Sequence, residues 1–468
     1  MRNKPIVVLI AVLLSSISLP ITLTGASVAL PDIAEALDAD LAPVQWVVTG
    51  YNATFASFML AAGSLADLIG RRRVFTGGVA VFAVTGLLSI VTTNILVLDV
   101  VRAVAGAGAA AAAASGAALL AANFEGPART RAFGVFGTTL GVGLAFGPTI
   151  GGFVVSAFGW RGVFGVPAAA ALIVLLMTPL LPESRESGGR RLDTGGAVTF
   201  TAFLLLLITG FVEGPARGWL SPVVLGAFVG SAVLLAAFVV IERRRPDPML
   251  DLGLLASPRF MAFSVTAAVI LCVLIPLVVY LPSYFTEVLG MSSERAGTVL
   301  IALTAPSLVL PSLAGVIAKW VPPSAIVMVA VVLVGAGAAW MALAGPKTGT
   351  GQLLGPLLTI GFGFGISMGL IDGVAISSVA VDRAGTAAGM LNTARLASET
   401  VAIAVVGAVL AATTDGRLAD PGFSGGLRTV LWAMAGLAVV TLLVCGALLR
   451  RGGRVSATTA PTAESVPA

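Results

Sequence analysis

Fourteen apolar stretches recur along this 468-residue chain, each close to the ~20 residues that a helix needs to cross a bilayer. Only 10% of the residues are charged, whereas a soluble chain is about one quarter charged. The sequence therefore predicts an all-α integral membrane protein. The stretches lie near 6–30, 46–68, 75–94, 96–121, 133–156, 161–181, 195–212, 222–241, 260–282, 296–318, 324–344, 353–380, 387–411 and 428–449.

The composition also excludes several classes of function. The chain has no histidine and two cysteines, Cys272 and Cys445, both inside apolar stretches. Histidine metal sites, histidine proton relays and disulfide scaffolds are therefore excluded, and no metal or other cofactor is expected. No GxxxxGK[ST] sequence is present, so ATP does not power the protein directly. The low charged fraction and high hydropathy also exclude a nucleic-acid module, and the excess of Lys and Arg is ordinary in the cytoplasmic loops of membrane proteins.

The basic residues predict how the chain is oriented. Of the 27 Lys and Arg residues, nineteen fall on the side of the N-terminus, two lie within spans and six lie in the opposite loops. Basic residues accumulate in cytoplasmic loops, and an even number of spans returns the chain to its starting side. Both termini are therefore predicted to be cytoplasmic. The six residues in the opposite loops are Arg161, Arg217, Arg295, Lys347, Arg417 and Arg428.

Two charged connections, 182–194 and 242–259, bracket the seventh and eighth stretches. Six spans precede that pair and six follow it, which indicates two six-helix halves with an inserted two-helix hairpin. Transporters are commonly built from such repeats, with the substrate site between them. The predicted units are an N-terminal half (1–181), a linker with the hairpin (182–258), a C-terminal half (259–450) and a disordered cytoplasmic tail (451–468) rich in Ser, Thr, Ala and Pro.

The second and third spans are joined by GSLADLIGRRR, which runs from Gly63 to Arg73. Gly63 and Gly70 permit close approach and a tight turn. Asp67 is an acid among several cations, able to accept a charge-assisted hydrogen bond or to cap a helix. Asp67 and Arg71 lie where the two halves must meet, so we expect them to hold a cytoplasmic gate. The alternative is a loop that only obeys the charge bias, and the fixed spacing of Gly, Asp, Gly and Arg argues against it.

The fourth span carries Arg102 in the sequence RAVAGAGAA. An arginine in hydrocarbon costs ~2.5–3.5 kcal/mol, so it normally faces a cavity or a partner. Asp99 lies three residues earlier on the same helix face and is a candidate partner. The alternative is an arginine near the outer interface that extends to the lipid headgroups.

The fifth span contains GTTLGVGLAFGPTIGG. Its glycines allow a neighbouring helix to pack closely, and its proline removes a backbone donor and bends the helix. The residues that form this motif are Gly143, Gly147, Pro148, Gly151 and Gly152.

The loop from Gly63 to Arg73 resembles the signature loop of the major facilitator superfamily, and the Gly-Pro-Gly-Gly ending of the fifth span resembles the antiporter motif of its exporters. Segments such as QWVVTGYN and AAGMLNTARLASETVAIAVVG resemble the fourteen-span drug:proton antiporter branch, and the resemblance covers nearly the whole chain. It implies a proton-driven exporter, not an enzyme, that moves amphipathic aromatic or cationic compounds such as antibiotics, dyes or biocides by alternating access. It also implies a monomer that crosses the cell membrane many times, with a small-molecule substrate, protons and the lipid bilayer as partners and no nucleic acid.

One position departs from that branch, which usually carries an aspartate in the first span, nine residues before the proline of ALP. Counting back from Pro31 places Thr22 there. The acid that couples protons to transport is therefore expected elsewhere, and the candidates are Glu399, Asp372 and Asp99.

Glu399 is the strongest of these candidates because it lies near the middle of its stretch. Arg395 is four residues earlier, so the two side chains share a helix face and can pair. A carboxyl group in a low-dielectric environment holds its proton more readily than in water, so it can load and release a proton as its access changes. The alternatives are a static ion pair for Glu399 and, for Asp372, an acid at a helix end that cytoplasmic water reaches.

The central cavity is expected to be mostly apolar with few acids, as suits broad recognition. Two rival functions stay open: an exporter dedicated to one metabolite or lipid, and a transport-inactive receptor or scaffold. A dye-efflux assay with and without an uncoupler separates the three. The residues predicted to line the cavity are Tyr51, Asn52, Arg102, Tyr280, Tyr284, Asn392 and Arg395.

Overall fold

The chain is helical, with short 3₁₀ and π turns and no β-strand in the residues that the structure describes. Backbone groups in a bilayer core must be satisfied within the protein, and a helix achieves this inside one segment. The computed structural model describes residues 4–184, 193–245, 252–345, 348–368, 370–379, 384–414 and 422–458.

Thirteen helical segments in the described part of the chain are long and apolar enough to cross a membrane. The helix Leu41–Ile69, with 29 residues, packs among them as the fourteenth. The predicted all-α membrane fold is confirmed. The helices are α1 (Lys4–Leu37), α2 (Leu41–Ile69), α3 (Arg71–Val91), α4 (Ile95–Asn123), α5 (Gly126–Phe158), α6 (Gly162–Met177), α7 (Thr194–Arg217), α8 (Pro222–Arg244), α9 (Pro258–Ser283), α10 (Ser293–Val299), α11 (Ile301–Thr304), α12 (Pro306–Ile317), α13 (Pro323–Met341), α14 (Thr350–Ser367), α15 (Leu370–Ser377), α16 (Ala384–Thr413) and α17 (Gly422–Thr458).

Two of the spans are interrupted. The span at 293–317 is divided into α10, α11 and α12. Pro306, which removes a backbone donor, begins α12, and Pro311 lies within that helix. The other interrupted span is divided between α14 and α15, because Met368 has an extended conformation with ψ of 131°. Asp372 therefore lies in the first turn of a short separate helix.

The packing of the helices separates two halves. In the first half, α2 packs against α4, α1 against α5, and α3 against both α4 and α6. In the second half, α9 packs against α16 and α17, and α13 packs against α14 and α17. The hairpin helices α7 and α8 pack together, and α7 also contacts α2 of the first half and α16 of the second. The inserted hairpin therefore lies along the boundary between the halves.

The last helix is longer than its apolar stretch. Residues 451–458, which composition assigned to a disordered tail, continue α17. A helix that is already formed extends at one backbone hydrogen bond per added residue. Residues 459–468 lie outside the described residues.

We call the end of the bundle that holds the start of α1 and the end of α17 the terminal face, and the opposite end the distal face. With fourteen spans, the connection from α2 to α3 lies at the terminal face, and the connection from α1 to α2 lies at the distal face.

Candidate functional site: a cleft between the two halves

Hydrogen bonds join the two halves on the distal side of the bundle. Gln45 Nε2 of α2 donates to the Gly407 carbonyl oxygen of α16 at 2.9 Å, and Asn52 Nδ2 donates to Thr400 Oγ1 at 3.1 Å. Gln45 and Asn52 are each 1% exposed. These contacts close the distal side. Three further bonds between the halves run from Thr149 Oγ1 to the Gly297 carbonyl oxygen (2.8 Å), from Thr304 Oγ1 to the Ala145 carbonyl oxygen (2.6 Å) and from Ser27 Oγ to the Val278 carbonyl oxygen (3.1 Å).

One face of α16 leads from the terminal face to this closure. Asn392, Arg395 and Glu399 follow one another at helical spacing on that face. Asn392 is exposed, the Arg395 side chain is 21% exposed, and Glu399 is 7% exposed. Exposure along this face therefore falls from the terminal face to Glu399, and we infer that the face lines a cleft that is open at the terminal end and closed at Glu399.

Arg395 forms its ion pair with Asp372 of α15, and not with Glu399 as expected. Arg395 Nη1 lies 2.7 Å from Asp372 Oδ1, and the Asp372 side chain is 40% exposed. Side chains on a helix lean towards its N-terminal end, so Arg395 extends towards the terminal face and away from Glu399. The structure thus brings Arg395 and Asp372 together at the mouth of the cleft.

Glu399 lies deeper, where the two halves touch. The Asn52 side chain of α2 is within hydrogen-bond reach of its carboxyl group. Cys272 of α9 also lies close to Glu399, and Cys272 Sγ donates to the Ser398 carbonyl oxygen at 3.4 Å. The buried acid of one half is therefore covered by an uncharged amide of the other.

Arg102 is enclosed within the N-terminal half and is 2% exposed. Its guanidinium carbon lies 4.3 Å from the ring centre of Tyr51 and 5.2 Å from that of Phe164, and its Nε donates to the Val47 carbonyl oxygen at 3.0 Å. Asp99 does not come within ion-pair distance of it, although its Oδ1 is buried without a hydrogen-bond partner. The expected pairing is replaced by cation–π contacts, and an Arg102 that reaches the headgroups is contradicted by its burial.

The two candidate tyrosines of the C-terminal half are also buried. Tyr280 donates from its hydroxyl group to the Ile403 carbonyl oxygen at 3.1 Å, and Tyr284 stacks on Phe423 with ring centres 6.3 Å apart. Thr22 is 2% exposed, and its hydroxyl group has no hydrogen-bond partner among the described residues. Of the seven residues predicted to line the cavity, Asn392 and Arg395 are open to the cleft and Asn52 closes its end. Tyr280 lies at the boundary between the halves, where its hydroxyl group is within hydrogen-bond reach of Thr49 of α2. Tyr51, Arg102 and Tyr284 are packed within a half.

The loop between α2 and α3 is bound by Glu183, which follows α6. The backbone N–H of Arg72 donates to Glu183 Oε1 at 3.1 Å, and Arg73 Nε lies 3.8 Å from Glu183 Oε2. Gly70 has φ of 115°, and a β-carbon there would lie 2.6 Å from Glu183 Oε1. An acid is favourable at the N-terminus of α3 because of the helix dipole. The side chain of Asp67 lies outside the part of the chain that the structure describes.

The glycine motif of α5 lies in two interfaces. A β-carbon at Gly143 would lie 2.5 Å from Pro20 Cγ of α1, one at Gly147 would collide with Thr24 Oγ1, and one at Gly151 would lie 2.6 Å from Gly25 Cα. Gly152 faces the other half instead, where a β-carbon would lie 2.5 Å from the Ser293 carbonyl oxygen. The Pro148 carbonyl group likewise contacts Gly297 of α10. The motif therefore packs α5 against α1 and contributes to the distal closure.

A cavity of about 510 Å³ lies along α16. Its lining is almost entirely apolar and comes from α7, α9, α16 and α17, including Phe203, Cys272, Val406 and Met434. It adjoins Glu399, because Ala402 and Val406 lie three and seven residues after Glu399 on the same helix face and Cys272 lies close to its carboxyl group. The described residues contain no group of three or more His, Cys, Asp or Glu side chains that could hold a metal ion.

Sequence reasoning missed three of these contacts. Gln45 and Asn52 are seven residues apart and so share a face of α2, and this polar stripe in an apolar span was a usable signal. Thr400 is hidden among the many small residues of α16. Glu183 gave no signal, because its partners at the start of α3 lie far away along the chain.

Several known proteins are similar to this chain in sequence or in fold. A sequence model of the Major Facilitator Superfamily matches residues 11–403. The cephamycin export protein CmcT of Amycolatopsis lactamdurans is 32% identical over 84% of this chain and 82% of its own length. The puromycin resistance protein pur8 of Streptomyces alboniger is 30% identical over 94% of this chain and 88% of its own length. A crystal structure of the peptide transporter POT in complex with alafosfalin has the same fold, with a TM-score of 0.72 at 13% identity over 96% of this chain and 95% of that chain.

Proposed function

This chain belongs to the major facilitator superfamily, and we propose that it is a proton-driven exporter of amphipathic aromatic or cationic compounds such as antibiotics, dyes or biocides. The family and these relatives are transporters, not enzymes. The names of the relatives, which refer to antibiotic resistance and export, support a drug-like substrate.

The protein crosses a membrane many times, and we assign it to the cell membrane with the terminal face in the cytoplasm. The excess of Lys and Arg on that side supports this orientation. A cleft open to the terminal face and closed on the distal side is then the state that receives substrate from the cytoplasm.

The position of Glu399 is the observation that carries proton coupling. A coupled exporter needs an acid whose access to water changes sides as the halves rock. Glu399 lies at the closed end of a cleft that water enters from the terminal face, and it is 7% exposed. Its nearest cation, Arg395, is taken by Asp372. An unpaired carboxylate is costly to bury, so Glu399 carries a proton in this state until substrate or water reaches it.

Asp372, Arg395 and Asn392 form the proposed first contact for substrate. They lie at the exposed mouth of the cleft, where a cationic compound competes with Arg395 for the Asp372 carboxylate. Freed in this way, Arg395 can turn to Glu399 one helical turn away and stabilise its anion, which expels the proton to the cytoplasm. Substrate entry and proton exit are thereby linked through one arginine.

The loop from Gly63 to Arg73 is proposed as the cytoplasmic gate. Glu183 holds the N-terminus of α3 within the same half, and Asp67 and Arg71 of this loop are the proposed gate residues where the halves approach in the opposite state. The α5 motif forms the gate on the distal side, where Gly152 and Pro148 lie against α10 of the other half.

The test is substrate-induced proton release from the purified protein in weak buffer, with ethidium as a cationic aromatic probe. The parent protein should release protons on binding and should drive efflux that an uncoupler stops. Glu399→Gln should abolish both proton release and proton-driven efflux while ethidium still binds. Asp372→Asn should weaken ethidium binding, because the acid at the mouth is lost.

Glu125→Gln is the matched control, since Glu125 is an exposed acid at the start of α5 whose side chain makes no capping hydrogen bond. It should leave proton release unchanged. Release that survives in both Glu399→Gln and Asp372→Asn refutes this assignment and directs attention to Asp99. Efflux of one compound only favours a dedicated exporter, and binding without any efflux favours a receptor or scaffold.

A further inference from the structure

The inserted hairpin leaves a gap against the second half. In the described part of the chain, α7 and α17 each pack against α16 but are not packed against each other. The cavity of about 510 Å³ lies in this gap, with α16 between its two walls and Cys272 of α9 also in its lining. Its volume is within the range of small-molecule sites, roughly 300–1,000 Å³. The hairpin therefore supplies one wall of a pocket whose other walls belong to the C-terminal half.

The pocket opens towards the lipid on the side of α17. Thr429, Ala433 and Leu437 line it and are exposed, and their spacing of four residues places them on one stripe of a membrane-spanning helix. Deeper in the pocket, Val406 is buried and shares a face of α16 with Glu399. The pocket therefore runs from the bilayer to the neighbourhood of Glu399 without passing the charged mouth of the cleft.

The lining of the pocket favours uncharged compounds. Among the described residues that line it, none is charged. The hydroxyl groups of Ser398 and Thr429 and the thiol of Cys272 each donate to a backbone carbonyl oxygen, at 2.6, 3.0 and 3.4 Å respectively. A cation in this pocket would lose its water without gaining a charged partner, which is costly.

The opening on α17 is a poor site for a phospholipid, whose headgroup is recognised through basic side chains. Arg428 precedes the first residue of the opening, but its Nε donates to the Ala342 carbonyl oxygen of α13 at 3.2 Å, on another side of α17. The ring of Phe203 lies in the lining, and an aromatic ring is a favourable contact for another ring. The pocket therefore suits a small neutral molecule, including an aromatic one, better than it suits a phospholipid.

The two walls of the pocket belong to parts that move relative to each other. Trp46 Nε1 of α2 donates to Glu213 Oε1 of α7 at 3.2 Å, and Thr201 Oγ1 of α7 donates to the Ser57 carbonyl oxygen of α2 at 3.2 Å. These bonds tie the hairpin to the first half, so the width of the pocket changes when the halves rock. A ligand that fits the pocket in one state can therefore shift the balance between the states.

We propose that the inserted hairpin forms a lateral binding site for neutral, lipophilic compounds dissolved in the bilayer, a substrate class separate from the cations that enter at Asp372. Lipid tails are as apolar as the pocket, so binding comes from close packing and not from the hydrophobic effect. Weak and broad recognition follows from this. The inference rests on the export function proposed above and gives the hairpin a part in it.

The direct test is photolabelling of the full chain in phosphatidylcholine vesicles with radioiodinated trifluoromethyl-iodophenyl-diazirine, a small neutral aromatic probe that concentrates in bilayers. Non-radioactive probe at about ten times its dissociation constant should lower the labelling of residues 402–409 about tenfold. Labelling of Leu443, which is exposed outside the pocket, should change by less than about twofold. If residues 402–409 label without competition, as Leu443 does, acyl chains fill the pocket and the inference is wrong.

Ala433→Phe and Thr429→Phe each place a ring in the opening and should remove the competed labelling. Ala447→Phe is the matched control, since Ala447 is also an exposed alanine of α17 but lies outside the lining. It should retain the competition. Competition that persists in both variants of the opening overturns entry from the bilayer.

Efflux from cells separates the two substrate classes. The parent protein should expel neutral phenylnaphthylamine as well as ethidium. Ala433→Phe should slow the efflux of phenylnaphthylamine about tenfold and that of ethidium by less than about twofold. Equal slowing of both compounds, or a parent that expels ethidium alone, contradicts the separate site. Loss of ethidium efflux in the parent refutes the proposed exporter instead, and the labelling in vesicles, which needs no transport, still reports whether the pocket binds the probe.

Discussion

The partner of Arg395 illustrates what a sequence can predict at the scale of single residues. Helical spacing correctly placed Arg395 and Glu399 on one face of α16, but it could not choose between Glu399 and an acid on another element. The choice depends on the lean of the arginine side chain towards the helix N-terminus and on the break at Met368 that starts α15. Arg395 pairs with Asp372 because the fold places Asp372 at the mouth of the cleft. No local sequence pattern encodes that placement.

Arg102 gives a prediction at this scale. Arg102→Lys should destabilise the protein by about 1–3 kcal/mol, because lysine keeps the charge but loses the Nε donor to Val47 and the planar stacking on Tyr51 and Phe164. The midpoint of thermal unfolding of the detergent-purified protein should fall on the order of a few degrees.

Arg161 provides the control for that substitution. It makes the same kinds of contact, with Nε donating to the Ile90 carbonyl oxygen at 2.9 Å and the guanidinium group 4.3 Å from the ring centre of Trp160, but it is only partly buried. Arg161→Lys should therefore cost less, because a lysine there can reach water. Equal losses at the two positions would contradict the role assigned to burial.

At the scale of helices, the apolar stretches predicted the number and order of the spans, because a bilayer demands a minimum length of apolar helix. The same stretches did not reveal the division of α10 to α12, the break before α15 or the extension of α17 to Thr458. Those features depend on prolines within spans, on one extended residue and on helix propagation beyond the membrane, none of which changes the average hydropathy of a long window.

The α5 motif supplies the prediction at this scale. Gly152→Ala should favour the distal-open state, because its β-carbon would press on the Ser293 carbonyl oxygen of the other half. Overpacking of a tight contact costs about 1–3 kcal/mol, enough to raise the ratio of long to short distances about tenfold between spin labels at Ala36→Cys and Ala412→Cys, two exposed positions at the distal face, one in each half. Pulsed electron paramagnetic resonance at fixed pH, in a protein that carries Cys272→Ser and Cys445→Ala, measures this ratio.

Gly141→Ala is the matched control on the same helix. No atom of another helix lies within 4 Å of a β-carbon there, so this variant should keep the parent distance distribution and the parent transport rate. A shift of equal size in both variants would show that helix propensity, and not the contact with α10, determines the effect.

At the scale of the whole molecule, the sequence predicted two halves with an inserted hairpin but not which side is closed. Closure depends on contacts between residues more than a hundred positions apart, such as Gln45 with Gly407 and Thr149 with Gly297. The hairpin takes part in this arrangement, since Trp46 Nε1 of α2 donates to Glu213 Oε1 of α7 at 3.2 Å. Because α7 contacts both α2 and α16, the hairpin spans the boundary that must shift during rocking.

The orientation of the molecule gives the last prediction. The hairpin crosses the membrane as α7 and α8, with exposed Ala216 at its distal turn and exposed Arg244 at its terminal end. The charge bias assigns the terminal face to the cytoplasm. In a protein lacking Cys272 and Cys445, a membrane-impermeant maleimide should therefore label Ala216→Cys in intact cells and label Arg244→Cys only after permeabilisation. Free reaction of both cysteines in intact cells would remove one crossing and, by parity, move the C-terminus to the other side. The reverse labelling pattern would keep fourteen spans but place the open cleft outside, which would exclude loading of substrate from the cytoplasm in this state.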